Sequence, residues 1–203
     1  LRMTKTLFSL LLALACSGIA RAEEAAVTNQ PTSLELATFG GGCFWCIEAV
    51  LEQTPGVKKV VSGYMGGRTA NPTYKEVCGG DSGHVEVVQV SFDPAVVGFD
   101  KLLDVFWHAH DPTTLNRQGN DVGTQYRSVV FYHGVKQRDA AEAVKAKLGA
   151  SGTFKDPIVT AIEPASAFYE AEDYHQEYYR NNRSQPYCQY VIRPKLKKLG
   201  LQD

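Results

Sequence analysis

A cysteine at the start of a predicted helix is the part of this sequence best suited to chemistry. The run GGGCFWCIE at 40–48 follows a β-rich stretch, and apolar residues then recur at helical spacing. A thiol in the first turn of a helix faces unpaired backbone N–H groups and the positive end of the helix dipole, which favour the thiolate. We therefore predict that Cys43 is a nucleophile, with Phe44 and Trp45 forming an apolar wall beside its sulfur. A buried structural cysteine is the alternative, but the nearby Cys46 favours redox chemistry.

Glu86 is the candidate proton donor, because strand alternation places it among apolar side chains. In the predicted strand His84–Phe92, Glu86 shares one face with Val88, Val90 and Phe92. A carboxyl group on such a face is desolvated, which raises its pKa and keeps a proton on it near neutral pH. The alternative is a glutamate at a strand end that reaches water. We predict that Glu86 acts as a general acid.

Two polar loops carry side chains that could hydrogen-bond an oxygen atom of a substrate. The loop at 111–125 is too long and too polar for an idle connection; it contains Asp121, and Tyr126 follows it. Tyr74 lies in a second loop, at the end of the sequence Asn-Pro-Thr-Tyr. Taken singly, each of these residues is more typical of a turn or a helix cap.

The cysteines and histidines favour redox chemistry over a disulfide framework or a metal centre. Four cysteines follow position 22: Cys43, Cys46, Cys78 and Cys188. An even number could form two disulfides in an exported domain, but a domain of this size folds without them. His108 and His110 could join two of the thiols at a metal, yet on a helix they point to different sides. We therefore predict no metal site, and a structural role for Cys78.

The composition suits one globular domain. The chain has 203 residues, of which 44% are hydrophobic and 21% charged, and its formal net charge is −1. Lysine and arginine form no cluster, so a nucleic acid is not an expected partner. We expect a monomer.

Hydrophobic periodicity predicts a single α+β domain at 34–203 that folds as a two-layer sandwich. The first predicted elements are strand 34–39, helix 43–53, strand 57–64, strand 84–92, a helix from Phe99 and strand 128–132. This β-α-β-β-α-β order is the split β-α-β arrangement of a ferredoxin-like core. The sequence then predicts helix 135–148, strand 158–162, helix 171–180 and an irregular C-terminal tail from about 181.

The N-terminal segment differs in kind from the rest. Basic residues precede an apolar run at 7–15, and the small residues at 20–22 fit the pattern that a signal peptidase cleaves. We predict that 1–22 is a signal peptide, that 23–33 is a flexible lead, and that the protein is exported to the periplasm. The alternative is a lipidated Cys16 that anchors the protein to a membrane, although this cysteine lacks the leucine preferred three positions before it.

Several motifs, in order along the chain, closely resemble those of the peptide methionine sulfoxide reductase A family. They are GCFW at 42–45, NPTY at 71–74, GHVE at 83–86, QGNDVGTQYRS at 118–128 and FYEAEDYHQ at 168–176. The similarity extends from about residue 34 to about residue 188. The fold that this resemblance implies, a two-layer sandwich with a ferredoxin-like core, agrees with the predicted order of elements.

By this resemblance, Cys43 is the nucleophile, and Phe44 and Trp45 form the pocket for the S-methyl group of a methionine S-sulfoxide. The sulfoxide oxygen is bound and protonated by a set of polar side chains: Glu86, Tyr74, Tyr126 and Asp121. The thiolate attacks the sulfoxide sulfur, methionine departs, and Cys43 is left as a sulfenic acid. A nearby thiol condenses this acid to a disulfide. An external dithiol, thioredoxin or an exported thioredoxin-like protein, then reduces the disulfide, and no bound cofactor is implied.

The resolving thiol has two candidates. Many members of the family have Gly where this chain has Cys46, and resolve with a cysteine of the tail that Cys188 resembles. A mobile tail would let Cys188 reach Cys43, whereas pairing Cys43 with Cys46 across one turn of helix needs local distortion. We expect Cys188 to resolve first, with Cys46 as the alternative or as a relay.

Two other functions stay open at this point. Cys43 and Cys46 could be the redox pair of a thioredoxin-like thiol–disulfide oxidoreductase. Such motifs usually have Trp before the first cysteine, whereas here Phe44 and Trp45 lie between the two. The other alternative is a non-catalytic module that binds a metal or a partner protein.

Overall fold

The structure, a computed structural model, describes residues 33–203. The predicted signal peptide at 1–22, Cys16 and nearly all of the predicted lead at 23–33 lie outside the described residues. None of the helices between residues 33 and 203 is both long and apolar enough to cross a membrane.

The domain combines one large sheet, one small hairpin and several helices. The strands are β1 (Glu35–Gly41), β2 (Val57–Met65), β3 (Val85–Phe92), β4 (Arg117–Gln118), β5 (Asp121–Val122), β6 (Ser128–Tyr132), β7 (Ala161–Pro164) and β8 (Tyr169–Glu170). The helices are α1 (Phe44–Leu51), α2 (Tyr74–Cys78), α3 (Phe99–Ala109), α4 (Val135–Ala150), α5 (Tyr178–Asn181) and α6 (Arg193–Lys198). Shorter helical turns occupy Thr124–Tyr126, Asp173–His175 and Cys188–Ile192.

The central strands have the predicted topology. The large sheet has the order β7-β6-β1-β3-β2-β8, and within its four middle strands each strand is antiparallel to its neighbours. Helix α1 connects β1 to β2, and α3 follows β3, so that β3 lies between β1 and β2 as a split β-α-β unit requires. The predicted α+β sandwich with a ferredoxin-like core is therefore confirmed. Strands β7 and β8 extend the sheet at its two edges.

The two faces of β3 are buried in different places. Val88 and Phe92 belong to the main core, together with side chains of α1 and α3, whereas Val85 and Val87 belong to a second cluster. Glu86 contacts the start of α1, on the side of the main core. The alternation seen in the sequence thus separates the two faces as predicted.

A small hairpin orders the loop at 111–125, for which no element was predicted. Strands β4 and β5 pair through Gln118 and Asp121, and the turn between them is Gly-Asn, with Gly119 at φ +60°. The Gln118 side chain also exchanges hydrogen bonds with the backbone of Asp111, which fixes the base of the hairpin. A Gly-Asn pair of this kind was the sequence signal for the turn. The hairpin gives Asp121 a defined position.

The segment 171–180, predicted as one helix, is divided in the structure. It contains the helical turn Asp173–His175 and then the start of α5 at Tyr178. Glu177 between them has a left-handed backbone conformation with φ +49°, which a continuous right-handed helix does not allow.

The tail from residue 181, predicted to be irregular, is mostly helical and packs against the domain. A π-helical turn at Cys188–Ile192 continues into α6, and Cys188, Ile192 and Leu196 are fully buried. Their spacing of four residues places them on one helical face, and burial of that face holds the tail in place. Cys188 therefore belongs to the core and not to a mobile tail.

Candidate active site

The end of β1 and the start of α1 place Cys43 next to the middle of the sheet. Gly42, with φ +90°, turns the chain from the strand into the helix. A side chain at this position would meet Gln118 at 2.5 Å, so both the conformation and the space require glycine. Cys43 is the N-cap residue of α1, directly before its first turn, and is 6% exposed.

Glu86 reaches the start of α1 from the neighbouring strand β3. The backbone N–H of Phe44, the residue after Cys43, donates a hydrogen bond to Glu86 Oε2 across 3.1 Å. The side chain is 1% exposed, and burial raises its pKa to about 8; the nearby charges of Asp121 and Cys46 contribute to the rise. A carboxyl group with this pKa carries a proton at pH 7, so it can donate one.

Cys43 and Cys46 form a hydrogen-bonded pair of thiols. Burial raises the pKa of Cys43, and the proximity of Cys46 and Glu86 raises it further. The predicted preference of Cys43 for the thiolate is therefore not found in the resting structure, because its sulfur is buried and accepts no capping hydrogen bond from α1. The hydrogen bond with Cys43 and the positive charge of Lys195 lower the pKa of Cys46, against the effect of burial. Negative charge on the pair therefore favours Cys46.

Cys188 interacts with Cys46, and Cys78 stands apart from both. Burial raises the pKa of Cys188, and the charge of Cys46 raises it further. A hydrogen bond thus links Cys43 to Cys46, and an electrostatic interaction links Cys46 to Cys188. Cys78 is exposed and accepts a hydrogen bond from the hydroxyl of Tyr74.

Tyr187 connects the thiol pair to the hairpin, and it was not predicted as a site residue. Its hydroxyl donates to Asp121 Oδ2 across 2.6 Å and lies 3.7 Å from Cys46 Sγ. Burial raises its pKa, with further contributions from Cys46 and Cys43, so the phenol keeps its proton. Its position directly before Cys188 is the sequence signal that could have indicated it.

Neighbouring aromatic rings contact both the face and the edge of the Trp45 indole. Its indole ring stacks on Tyr178, with ring centroids 3.6 Å apart and planes 6° apart. The indole N–H donates to His175 Nδ1 across 3.1 Å, and the His175 ring also lies against Phe44 and Tyr74, at 5.0 and 4.5 Å between centroids. Neither His175 nor Tyr178 was predicted as a site residue. The motif at 168–176 contains His175 and could have indicated it, whereas Tyr178 lies outside every motif.

Tyr74 and Tyr126 approach Glu86 from two different segments. Tyr74 begins α2 directly after the Thr73 cap, whose capping box with Glu76 fixes the start of the helix. Tyr126 ends the helical turn that follows the hairpin. Burial raises the pKa of both tyrosines, and the charge of Glu86 raises both further. Both hydroxyls are therefore protonated and can donate hydrogen bonds.

The structure brings the predicted polar residues together around Cys43. Tyr126 interacts electrostatically with Glu86, Cys43, Asp121 and Cys78. Tyr74 also interacts with Tyr126 and Glu86. Between residues 33 and 203, no three metal-ligating side chains converge. A thiol, a protonated carboxyl group and several hydroxyl donors thus face one another beside an aromatic wall.

A buried cysteine pair next to a protonated carboxyl group defines a cysteine-dependent redox enzyme. The family model described as peptide methionine sulfoxide reductase matches residues 35–202. The chain therefore belongs to the peptide methionine sulfoxide reductase family.

Relatives named as members of the same family align with this chain over most of their length. The chain is 58% identical to a peptide methionine sulfoxide reductase MsrA of Chromobacterium violaceum over 166 residues, which are 82% of this chain and 94% of the relative. It is 54% identical to an MsrA of Leptospira borgpetersenii over 165 residues, or 81% of this chain and 93% of the relative. The prediction of a thiol-dependent methionine sulfoxide reductase is confirmed, in preference to the thioredoxin-like alternative.

Solved structures of similar proteins have the same fold. Mxr1 of Saccharomyces cerevisiae in its reduced form is 36% identical and superposes with a TM-score of 0.73 over 79% of this chain and 92% of its own. Methionine sulfoxide reductase A of Corynebacterium diphtheriae is 40% identical, with a TM-score of 0.68 over 80% of each chain. A structure of Mxr1 in complex with Trx2 matches at 26% identity and a TM-score of 0.53, over 76% of this chain and 91% of that chain.

Proposed function

We propose that Cys43 reduces the S epimer of methionine sulfoxide in oxidised proteins and peptides, with Glu86 as the proton donor. The observation that carries this proposal is the 3.1 Å hydrogen bond between Phe44 N–H and Glu86 Oε2. This bond holds a protonated carboxyl group beside the residue that follows the nucleophile, so the thiol and the acid can reach the same substrate group. Sulfoxide reduction needs both groups at once, one at sulfur and one at oxygen.

In the first step, the Cys43 sulfur attacks the sulfoxide sulfur while the S–O bond breaks. The Cys43 proton passes to Cys46, its hydrogen-bond partner; because the pKa of Cys46 is lowered, its thiolate is available to accept that proton. Glu86 gives its proton to the oxygen, which departs as hydroxide and leaves the Cys43 sulfur bonded to the methionine sulfur. The hydroxide then attacks the Cys43 sulfur, the S–S bond breaks, methionine is released, and Cys43 becomes a sulfenic acid. The hydroxyl of Tyr126 donates a hydrogen bond to the oxygen as negative charge develops on it, and the hydroxyl of Tyr74 does so after turning away from Cys78.

The substrate is oriented by the aromatic wall and by the hairpin. Phe44 and Trp45 form the apolar surface beside Cys43, suited to the S-methyl group. Asp121, fixed by the hydroxyl of Tyr187, offers a hydrogen-bond acceptor at the rim of the site. An N–H group of a peptide backbone is the donor that such a carboxylate would bind.

Cys46 resolves the sulfenic acid first in this proposal, which reverses the order expected from the sequence. Cys43 is the N-cap residue and Cys46 lies in the first turn of α1, so the two side chains meet without unwinding the helix. The Cys46 sulfur attacks the Cys43 sulfur, the S–O bond breaks, and the oxygen leaves as water with the Cys46 proton. Cys188, which interacts with Cys46, then displaces Cys43 by thiol–disulfide exchange. Cys188 in this way carries the oxidising equivalents away from the nucleophile.

A thioredoxin-like dithiol is the reductant of the final disulfide. The structure of Mxr1 in complex with Trx2 supports a thioredoxin as the partner of this family. Because the N-terminal segment is typical of a signal peptide, we further propose that the protein is exported and that its reductant is an exported thioredoxin-like protein. Cell fractionation, together with mass spectrometry of the mature N terminus, tests export: a start at residue 23 is expected, and a lipid adduct on Cys16 would contradict it.

The test of the proposed reaction is turnover of the separate S and R epimers of a methionine sulfoxide peptide, with dithiothreitol as reductant. Wild-type protein and Cys43→Ser are compared. We expect turnover of the S epimer alone and none by Cys43→Ser. If Cys43→Ser retained turnover, or if the wild type reduced only the R epimer, the assignment would be wrong.

A further inference from the structure

Glu48 is a buried carboxyl group that the proposed reaction does not use. It lies on α1, two residues after Cys46, and 1% of the residue is exposed. Burial raises its pKa to about 7, although hydrogen bonds from Ser62 and from the backbone of Glu177 and Tyr178 stabilise the charged form. Burying such a group costs free energy unless it is hydrogen-bonded, so the hydrogen bonds of Glu48 indicate its role.

The carboxyl group joins strand β2 to the beginning of α5. The hydroxyl of Ser62 donates to Glu48 Oε1 across 3.0 Å, and the backbone N–H of Tyr178 donates to Oε2 across 3.1 Å. The first N–H groups of a helix have no partner within that helix, so Glu48 satisfies one of them from another element. It also stabilises a segment in which Glu177, at φ +49°, adopts a conformation that is costly for a residue with a side chain.

Tyr178, whose backbone is bonded to Glu48, in turn packs against Trp45. The backbone of Tyr178 is held by Glu48, and its ring lies flat on the indole ring at 3.6 Å between centroids. His175 holds the other side of the indole through a 3.1 Å hydrogen bond from Nε1–H. Tyr187 also lies edge-on to the indole, at 5.6 Å between centroids. Of the neighbours that set the plane of Trp45, the stacked Tyr178 depends on Glu48.

We propose that Glu48 is a positioning residue for the substrate pocket: it fixes Tyr178, and Tyr178 fixes the plane of the Trp45 ring. This inference rests on the proposed function only in taking Trp45 as part of the wall that binds the S-methyl group. Glu48 touches neither the substrate nor the reacting atoms. Its removal therefore weakens substrate binding and leaves the chemical step nearly unchanged.

The first measurement is spectroscopic and does not depend on turnover. The chain has two tryptophans, and in a Trp107→Phe background Trp45 is the only one. The buried indole nitrogen of Trp107 has no hydrogen-bond partner among the described residues, so phenylalanine leaves no polar group unpaired there. We expect Glu48→Ala to change the intensity and shift the maximum of Trp45 emission, because the stacked Tyr178 ring moves. Glu48→Gln keeps an acceptor for Tyr178 N–H and should restore the wild-type spectrum.

The second measurement separates KM from kcat for the S epimer of a methionine sulfoxide peptide. Glu48→Ala should raise KM about fivefold to tenfold with kcat within about twofold, and Glu48→Gln should return KM to the wild-type value. Glu52→Ala is the matched control, since it removes an acid at the C-cap of the same helix that pairs with Arg180 of α5 at 3.4 Å. It leaves the N–H of Tyr178 bonded, so its KM and its emission should equal those of the wild type.

Two further variants keep the result decisive. If Glu48→Ala does not fold, Glu48→Asp is used, because the shorter side chain keeps a carboxyl group but does not reach Tyr178 N. Folded Glu48→Ala or Glu48→Asp with wild-type KM and wild-type Trp45 emission would overturn the inference. Trp45→Ala shows whether a negative result concerns Glu48 or the proposed pocket. An unchanged KM in Trp45→Ala rejects the pocket itself. A raised KM in Trp45→Ala with unaffected Glu48 variants rejects only the role of Glu48.

Discussion

The backbone N–H of Phe44 and the carboxyl group of Glu86 are hydrogen-bonded across 3.1 Å, which ties the acid of β3 to the helix start that carries Cys43. This bond alone would lower the pKa of Glu86, yet burial outweighs it and the pKa is about 8. The chemistry of the site therefore depends on where the strand lies, because an exposed glutamate would be ionised and unable to donate a proton.

The protonation of Glu86 predicts a pH limit on turnover. The acid must carry its proton, so kcat with saturating S sulfoxide should fall as pH rises through about 8. Glu86→Gln should lower kcat at pH 7 by about 10²–10⁴-fold, the usual contribution of a general acid, and should abolish this basic limb. The measurement is a pH–rate profile of both proteins; a basic limb of the same pKa in Glu86→Gln would assign it to another group.

The order of the thiols predicts which disulfide forms first. After one turnover without reductant, Cys188→Ser should contain a Cys43–Cys46 disulfide, and Cys46→Ser should accumulate sulfenic acid on Cys43. Peptide mapping by mass spectrometry, with a reagent that traps sulfenic acid, gives both results. Fast formation of a Cys43–Cys188 disulfide in Cys46→Ser would restore the order expected from the sequence.

The hydroxyl of Tyr187 should speed the resolving step. It lies 3.7 Å from Cys46 Sγ and donates to Asp121 across 2.6 Å, so Tyr187→Phe removes both contacts while keeping the ring. We expect disulfide formation to slow by about tenfold, the effect of losing one hydrogen bond to a charged group, in single-turnover measurements. Tyr190→Phe, at a residue 77% exposed in the π-helical turn that follows Tyr187, is the control and should behave as wild type. An equal rate in Tyr187→Phe and Tyr190→Phe would remove Tyr187 from the mechanism.

The raised pKa of Glu48 predicts how stability changes with pH. Its folded pKa of about 7 lies above the unfolded value of 4.5, so its stabilising effect is complete below pH 4.5 and is lost as pH rises through 7. Glu48→Gln cannot ionise, and relative to wild type it should gain on the order of 3 kcal/mol in the free energy of unfolding between pH 4 and pH 8. Urea denaturation of both proteins at the two pH values measures this. A difference that does not change with pH would mean that the carboxyl group of Glu48 is not desolvated.

Much of the fold was predictable because it follows from local patterns. The alternation along β3 separates Val85 and Val87 from the face that carries Glu86, and a side-chain period of two is fixed by strand geometry. The position of Cys43 at the start of α1 followed from the glycines before it and the apolar spacing after it. The helix predicted at 171–180 was wrong, because the left-handed conformation of Glu177 leaves no mark in the order of residue types.

The sequence by itself determined the family, the order of strands and helices in the core, and the residue types that can perform the reaction. These follow from contiguous motifs and from local hydrophobic periodicity. Only the tertiary structure decided the proton states and the partners. Burial makes Cys43 a thiol and Glu86 an acid, and it turns the tail into a packed helix that brings Tyr187 and Cys188 to Cys46. Desolvation and contacts across more than a hundred residues of chain arise only when the core closes, so no local pattern contains them.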